Sequence, residues 1–457
     1  MITIRQQQLF SLFIILFAGL GGVLYGYDIG IIAGALIFME HEIALTPTQI
    51  SILVAAVLGG GSIATLISGP LSDRFGRRTM VTVSAVVFIV GILVLVSSHS
   101  FFGVLSGRLI EGVGVGIITI IIPLYLAEAA PAAIRGRGVT AFQLFLTGGI
   151  LLAYIVALLF EHSGSWRGMF LCSLIPGSLL LIGSFLIIES PRWLFFKGRR
   201  AQTIKALQRS RSQQEAEHDL FMMTQLETEK QQRVQAGIKE VIWQKRFILP
   251  FLIAFVIAIL NQLTGINVFL QLCTLILKHS GVESNVVSML GSVGVGLVNF
   301  VITLIAVFLV DRLGRKPLLI LGTGGIVIAL FYLGIVSFFL TPGIQQGYLT
   351  VVGLLLFIAC FAIGPGVVVW LAISELMPMP IRGKGMAICL FSNSLASTIL
   401  ASIFLGLTHV IGYSGVFWMC GIFTLVYLLI AMYLLPETKS KSLEEIELFF
   451  KEKAEII

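Results

Sequence analysis

The chain is 457 residues long with 57% hydrophobic residues, a mean hydropathy of +1.01 and only 12% charged residues, about half the charged share of a soluble domain. That composition excludes a soluble globular protein, and apolar runs of roughly 20 residues, in place of ~10-residue alternating strands, exclude a membrane barrel. The formal charge of +7 would suit a polyanionic partner, but membrane topology accounts for it, and no nucleic acid is expected.

The first apolar run, from near Leu9 to Leu36, contains an aspartate and lacks a small-residue cleavage site after a short core, so it reads as a permanent helix. Asp28 lies well inside it. A carboxylate at that depth costs at least about 2.5 kcal/mol on insertion scales and needs a cation or a proton. Gly22, Gly26, Gly30 and Gly34 recur every four residues and form a small-residue stripe that a neighbouring helix can approach closely. At about 100° per residue Asp28 stands roughly opposite that stripe, so one face packs and the other carries chemistry.

Further membrane helices are expected at 50–71, 79–98, 101–125, 139–160 and 167–188, after a first at 10–36. The polar segment that follows, rich in Gln, Glu, Lys and Arg, reads as a cytoplasmic linker with short amphipathic helices. Helices 7 to 12 are expected at 248–277, 286–310, 317–340, 347–374, 385–409 and 412–435, with another short helix in the tail. The fold class is thus an all-α membrane protein with twelve transmembrane helices. Of the 30 Lys and Arg, only Arg167 and Lys278 fall on the far side and only Arg108 within the membrane. The positive-inside rule therefore puts both termini in the cytoplasm, with the chain in the inner (plasma) membrane. Cys172, Cys273, Cys360, Cys389 and Cys420 sit in apolar spans at no metal spacing and read as bundle packing, with no metal or cofactor expected.

The halves repeat. Asp73-Arg74-Phe75-Gly76-Arg77-Arg78 after helix 2 reappears as Asp311-Arg312-Leu313-Gly314-Arg315-Lys316 after helix 8. Glu128, Pro131, Arg135, Gly136 and Arg137 reappear with the same spacing as Glu375, Pro378, Arg382, Gly383 and Lys384, and Glu189 as Glu437. Such repetition implies two six-helix halves, 1–189 and 247–436, joined by a linker at 190–246 and followed by a tail at 437–457, with substrate bound between the halves. Asp73, Arg74, Arg77, Glu128, Arg135 and Glu189, with Asp311, Arg312, Arg315, Glu375, Arg382 and Glu437, are expected to form salt-bridge networks serving as a cytoplasmic gate. They would tie the helices of each half together and, when that side is closed, join the halves. A bare positive-inside reading leaves the paired acids unexplained.

Several stretches carry a family resemblance: GYDIGIIAGA, SDRFGRR with its copy VDRLGRK, GRLIEGVGVGIITIIIPLYLAEAAPAAIRGRG, ESPRWL, NQLTGIN, GPGVVVWLAISELMP with IRGKG, and PETKSKSLEE. Over essentially its whole length the chain resembles the sugar porter branch of the major facilitator superfamily. That resemblance implies alternating-access carriage of hexoses, pentoses or polyols, by uniport in some members and with protons in others. Gln143, Gln262, Asn267, Asn299, Trp370 and Asn393 match the family's sugar contacts, and Asn261 stands where the family has a longer glutamine. These residue types suit the task, since amides donate and accept as vicinal hydroxyls require and an indole face covers a sugar's C–H surface. Gln271 and Leu272 replace the usual aromatic pair after GIN, and Ser394 a frequent tryptophan.

Asp28 resembles the proton-coupled bacterial symporters, where animal glucose facilitators carry Asn, and its expected partner is Arg108 in helix 4. The counterpart of Arg108 in the second half, near Leu355, is apolar, which points to one proton site in the first half. Glu111, one turn after Arg108, stands where relatives carry small or apolar residues. It either competes with Asp28 for Arg108, or is a second protonatable group, or lies near a membrane rim with no role. The expected protein is a proton-coupled monosaccharide symporter working as a monomer in the bilayer, with sugar and protons as its partners and no enzymatic activity. The alternatives are a facilitative sugar or polyol uniporter and a non-transporting sugar sensor.

Overall fold

The computed structural model describes residues 4–235, 245–377 and 382–439, with positions 445 and 450. The first five crossings are single helices, α1 (Ile4–Glu42), α2 (Pro47–Phe75), α3 (Arg77–Ser97), α4 (Phe101–Ala129) and α5 (Ala132–Leu159). The sixth is divided into α6 (Trp166–Leu171) and α7 (Leu174–Leu186). Between the halves run α8 (Pro191–Phe196), α9 (Arg200–Gln208) and α10 (Gln213–Gln235). The last of these is longer than the short linker helices expected, because its 23 residues contain neither Gly nor Pro to stop it. The expected tail helix falls almost entirely outside the described residues.

In the second half, the seventh crossing is not the continuous helix expected. Gly265, at φ 90°, and then Leu272 divide it into α11 (Lys245–Leu263), α12 (Ile266–Gln271) and α13 (Cys273–His279). Two unbroken crossings follow, α14 (Asn285–Leu313) and α15 (Arg315–Phe339). The tenth breaks at Gly364 into α16 (Ile344–Ile363) and α17 (Pro365–Leu376). A last helical stretch, α18 (Arg382–Tyr433), is interrupted at Gly412, whose φ of 72° and ψ of 168° are not helical. As a straight rod it would be about 78 Å long, far beyond a ~30 Å hydrocarbon core. Instead the chain folds back there, since Phe404 and Phe417 on either side of the break both pack on Phe269, with ring centroids 5.9 and 5.5 Å away. Counted so, α18 supplies two crossings and the bundle has twelve.

The helices are apolar on the outside as well as the inside. On α3, Val83, Val86, Val90 and Leu93 are exposed at helical spacing, while Ser84, Phe88, Ile92 and Leu95 are buried. An outward apolar band of this kind suits lipid and would be a liability in water.

Within the first half, α1 lies against α5 along the glycine stripe. A Cβ on Gly22 would meet the Phe142 carbonyl oxygen at 2.5 Å, one on Gly26 the Leu146 oxygen at 1.8 Å, and one on Gly34 the Ala157 Cβ at 2.4 Å. No larger residue fits without moving a backbone. Contacts between the halves gather towards the end opposite the charged loops, hereafter the far end. There the Leu405 N–H donates to Ser51 Oγ (3.1 Å) and the Tyr154 hydroxyl to the Leu270 carbonyl (2.7 Å). Nearer the middle, Ser62 Oγ and Thr398 Oγ1 are 3.3 Å apart. At the charged-loop end of α2 a Cβ on Gly69 would touch nothing within 4 Å, and no hydrogen bond or ion pair joins the halves there among the described residues.

Candidate functional site

Asp28 faces away from the glycine stripe and into α4. Arg108 Nη1 donates to Asp28 Oδ1 at 2.6 Å and also to Glu111 Oε2 at 2.9 Å. All three side chains are at most 1% exposed. Glu111 thus shares the arginine with Asp28 and is buried within the half. It sits deep because α3 presents Gly91 at that level, where a Cβ would lie 2.5 Å from the Glu111 nitrogen. The remaining wall is the Phe170 ring, whose centroid is 5.5 Å from the guanidinium carbon. Asp28 Oδ2, Glu111 Oε1, and Arg108 Nε and Nη2 are buried without hydrogen-bond partners.

A second polar group lies on α11, α12 and α18. Gln262 Nε2 donates to Asn393 Oδ1 (3.1 Å), and Asn267 Nδ2 donates to Gln262 Oε1 (2.9 Å) and to Ser397 Oγ (2.9 Å). Asn393 Nδ2 in turn donates to the Ala258 carbonyl at 2.8 Å. The turn at Gly265 brings Asn267 back beside Gln262, which a straight helix would hold more than one turn away. Three of the expected sugar contacts are thereby joined. Asn261 is buried with its Oδ1 unpartnered, and Trp370 is half-buried against the α11 and α18 packing. Gln143 on α5 and Asn299 on α14 are not tied into this group by any hydrogen bond among the described residues. Ser397 was not anticipated, although its place one turn after Asn393 on the same face was available as a signal.

The charged repeats build the same device twice. The Arg77 and Arg78 N–H groups at the start of α3 donate to Glu189 Oε1 at 2.8 and 3.2 Å, and the Arg315 and Lys316 N–H groups at the start of α15 donate to Glu437 at 3.0 Å each. A glutamate remote in sequence thus caps each helix and complements its dipole. Gly76 and Gly314, at φ 97° and 93°, are required because a Cβ there would meet the capping carboxylate at 2.2 and 2.7 Å. Arg77 then pairs with Glu128 at 2.9 Å and Arg315 with Glu375 at 3.0 Å. Ser190 and Thr438, which follow the capping glutamates and were not singled out, donate their hydroxyls to Glu128 and Glu375. Burial raises the Glu189 carboxyl above its usual range. Burial is the largest single influence on Glu437 too, but the N–H donors of Lys439, Arg315, Lys316 and Thr438 together hold it below.

Asp73 pairs with Arg77 at 2.9 Å. Arg74 forms no ion pair among the described residues and lies against the Phe75 ring, while Arg312 offers its carbonyl to Lys439 Nζ. The side chains of Arg135, Asp311 and Arg382 lie outside the described residues. The networks seen hold each half together; the expected link across the halves is not among them.

A family model described as "Sugar (and other) transporter" matches residues 14–450. The chain is 33% identical over 450 residues to the galactose-proton symporter of Escherichia coli, covering 97% of this chain and 95% of that protein. It is 34% identical over 444 residues to the glucose transporter GlcP of Staphylococcus epidermidis, covering 96% and 97%. Among solved structures, the E. coli xylose transporter XylE in a partially occluded inward-open conformation matches with a TM-score of 0.80 at 27% identity, over 94% of this chain and 99% of that one.

Proposed function

This chain belongs to the sugar porters of the major facilitator superfamily, and on that premise we propose that it is a proton-coupled monosaccharide symporter working by alternating access. It is a transporter and not an enzyme. The observation that carries the coupling is the Asp28–Arg108 pair, buried at 2.6 Å in the first half with no basic counterpart near Leu355 in the second. An ionised Asp28 holds α1 to Arg108. Protonation removes that attraction and biases a two-state bundle. One charge crossing 100 mV supplies about 2.3 kcal/mol, which corresponds to roughly a fifty-fold sugar gradient.

Sugar binds at Gln262, Asn267 and Asn393, with Asn261, Trp370, Gln143 and Asn299 completing the site from both halves. The basic charged loops face the cytoplasm, as the positive-inside rule requires, so the chain sits in the inner membrane with its termini inside. On that orientation the contacts at Ser51–Leu405 and Tyr154–Leu270 close the outer face, and the state described is open inward. Arg77, Glu128, Arg315 and Glu375 belong to the inner gate, and the working unit is one chain.

Uptake of labelled hexoses, pentoses and inositol into proteoliposomes, with and without an imposed pH gradient, tests the reading. One sugar should accumulate above its outside concentration only when the gradient is present. Equilibration of that sugar with no response to the gradient would make the protein a facilitator.

A further inference from the structure

Arg108 serves two carboxylates with a single nitrogen. Asp28 Oδ1 and Glu111 Oε2 both accept from Nη1, at 2.6 and 2.9 Å, and both residues are fully enclosed by protein. With both acids ionised the group carries a formal charge of minus one in a dry site, a state that burial penalises by several kcal/mol. The surroundings offer nothing to neutralise it. Helix α3 contributes Gly91 and α6 the Phe170 ring, and Arg108 is the only cation paired with either acid among the described residues. Asp28 Oδ2 and Glu111 Oε1 are buried with no hydrogen-bond partner, so a proton can sit on either oxygen without breaking an existing bond.

We propose that Asp28 and Glu111 form one proton site, in which the two carboxyls hold a single proton between them beside Arg108 at neutral pH. Resting on the symport reading, this makes the coupling site a pair on α1 and α4 and not one aspartate. Binding converts one carboxylate to a carboxylic acid and brings the group to neutrality. Release returns the proton to water and leaves two anions contesting one cation.

Infrared difference spectroscopy of the purified full-length transporter across neutral pH sees the C=O stretch of a buried carboxylic acid directly. The unmodified protein should show it, and both Glu111→Gln and Asp28→Asn should lose it, because each leaves one carboxylate neutralised by Arg108. Either variant suffices if the other fails to fold. Uptake by Glu111→Gln should shift its pH dependence towards acid by about one unit or more, since Asp28 loses the neighbouring anion that favoured its proton. An unmodified protein without the signal, a signal that survives in a variant, or an unmoved pH profile overturns the shared site. The spectroscopic arm needs no transport, so its failure is separate from failure of the symport reading, which sugar-driven alkalinisation by the unmodified protein tests alone.

Discussion

Arg77 and Arg315 hold the same station in the two halves. Each opens a helix whose first N–H groups are capped by a distant glutamate, and each sends its guanidinium to a second glutamate at the end of a neighbouring helix. The stations differ in depth: the Arg77–Glu128 side chains are 8% and 6% exposed, those of Arg315–Glu375 16% and 21%.

That difference predicts unequal costs. Removing one partner of a buried pair costs about 3–5 kcal/mol, and the penalty falls as water reaches the survivor. Arg77→Ala should therefore lower the thermal stability of the detergent-purified protein more than Arg315→Ala. Equal losses in a thermal-shift measurement would mean that burial is not what separates the two sites.

At the amide group, Gln262→Ala should weaken sugar binding by at least about 1 kcal/mol, roughly five-fold in Kd, because it leaves Asn393 and Asn267 without a shared partner as well as removing a contact. Asn267→Ala should do the same. Calorimetric titration with the transported sugar decides, and unchanged affinity in both variants removes α11 and α12 from the site.

Asp28→Asn keeps the shape and loses the proton. Uphill accumulation driven by a pH gradient should vanish along with sugar-induced alkalinisation, while exchange of internal for external sugar continues in a counterflow assay. A variant that still concentrates sugar would move the coupling off Asp28 altogether.

The α1–α5 contact predicts a steep dependence on one methyl group. Gly26→Ala places a Cβ against the Leu146 carbonyl and should cost about 1–3 kcal/mol or prevent folding. Gly69→Ala, in open space on α2, should be neutral or slightly stabilising through helix propensity. Monodisperse yield on size exclusion, followed by melting temperature, compares them; a well-folded Gly26→Ala of unchanged stability would contradict the packing.

Much of this was legible before any coordinates. The glycine spacing gave the packed face of α1, and the doubled motifs gave two halves, because both are periodicities that one chain carries by itself. The break at Gly265 was harder, because a span's average hydropathy does not register the positive φ of one glycine, whereas the reversal at Gly412, where Phe404 and Phe417 return to one ring, falls at the boundary expected between helices 11 and 12. Ser397, Ser190 and Thr438 act through partners remote in sequence, which no local pattern records. The spacing of Glu111 from Arg108 showed that they share a face. Its depth depended on Gly91 of another helix.

The glycine contact has a mechanical consequence. From Gly22 to Gly34 the two helices are engaged over about 18 Å, with carbonyls seated where side chains would otherwise stand. Sliding or rolling of α1 on α5 would drive backbone into backbone, so the two move as one beam. A displacement of α1 at Asp28 is then delivered undiminished to α5, and through Tyr154 to the seventh crossing at Leu270. On the proposed coupling at Asp28, a local push from the proton would therefore reach the seam with the other half and not be absorbed within α1.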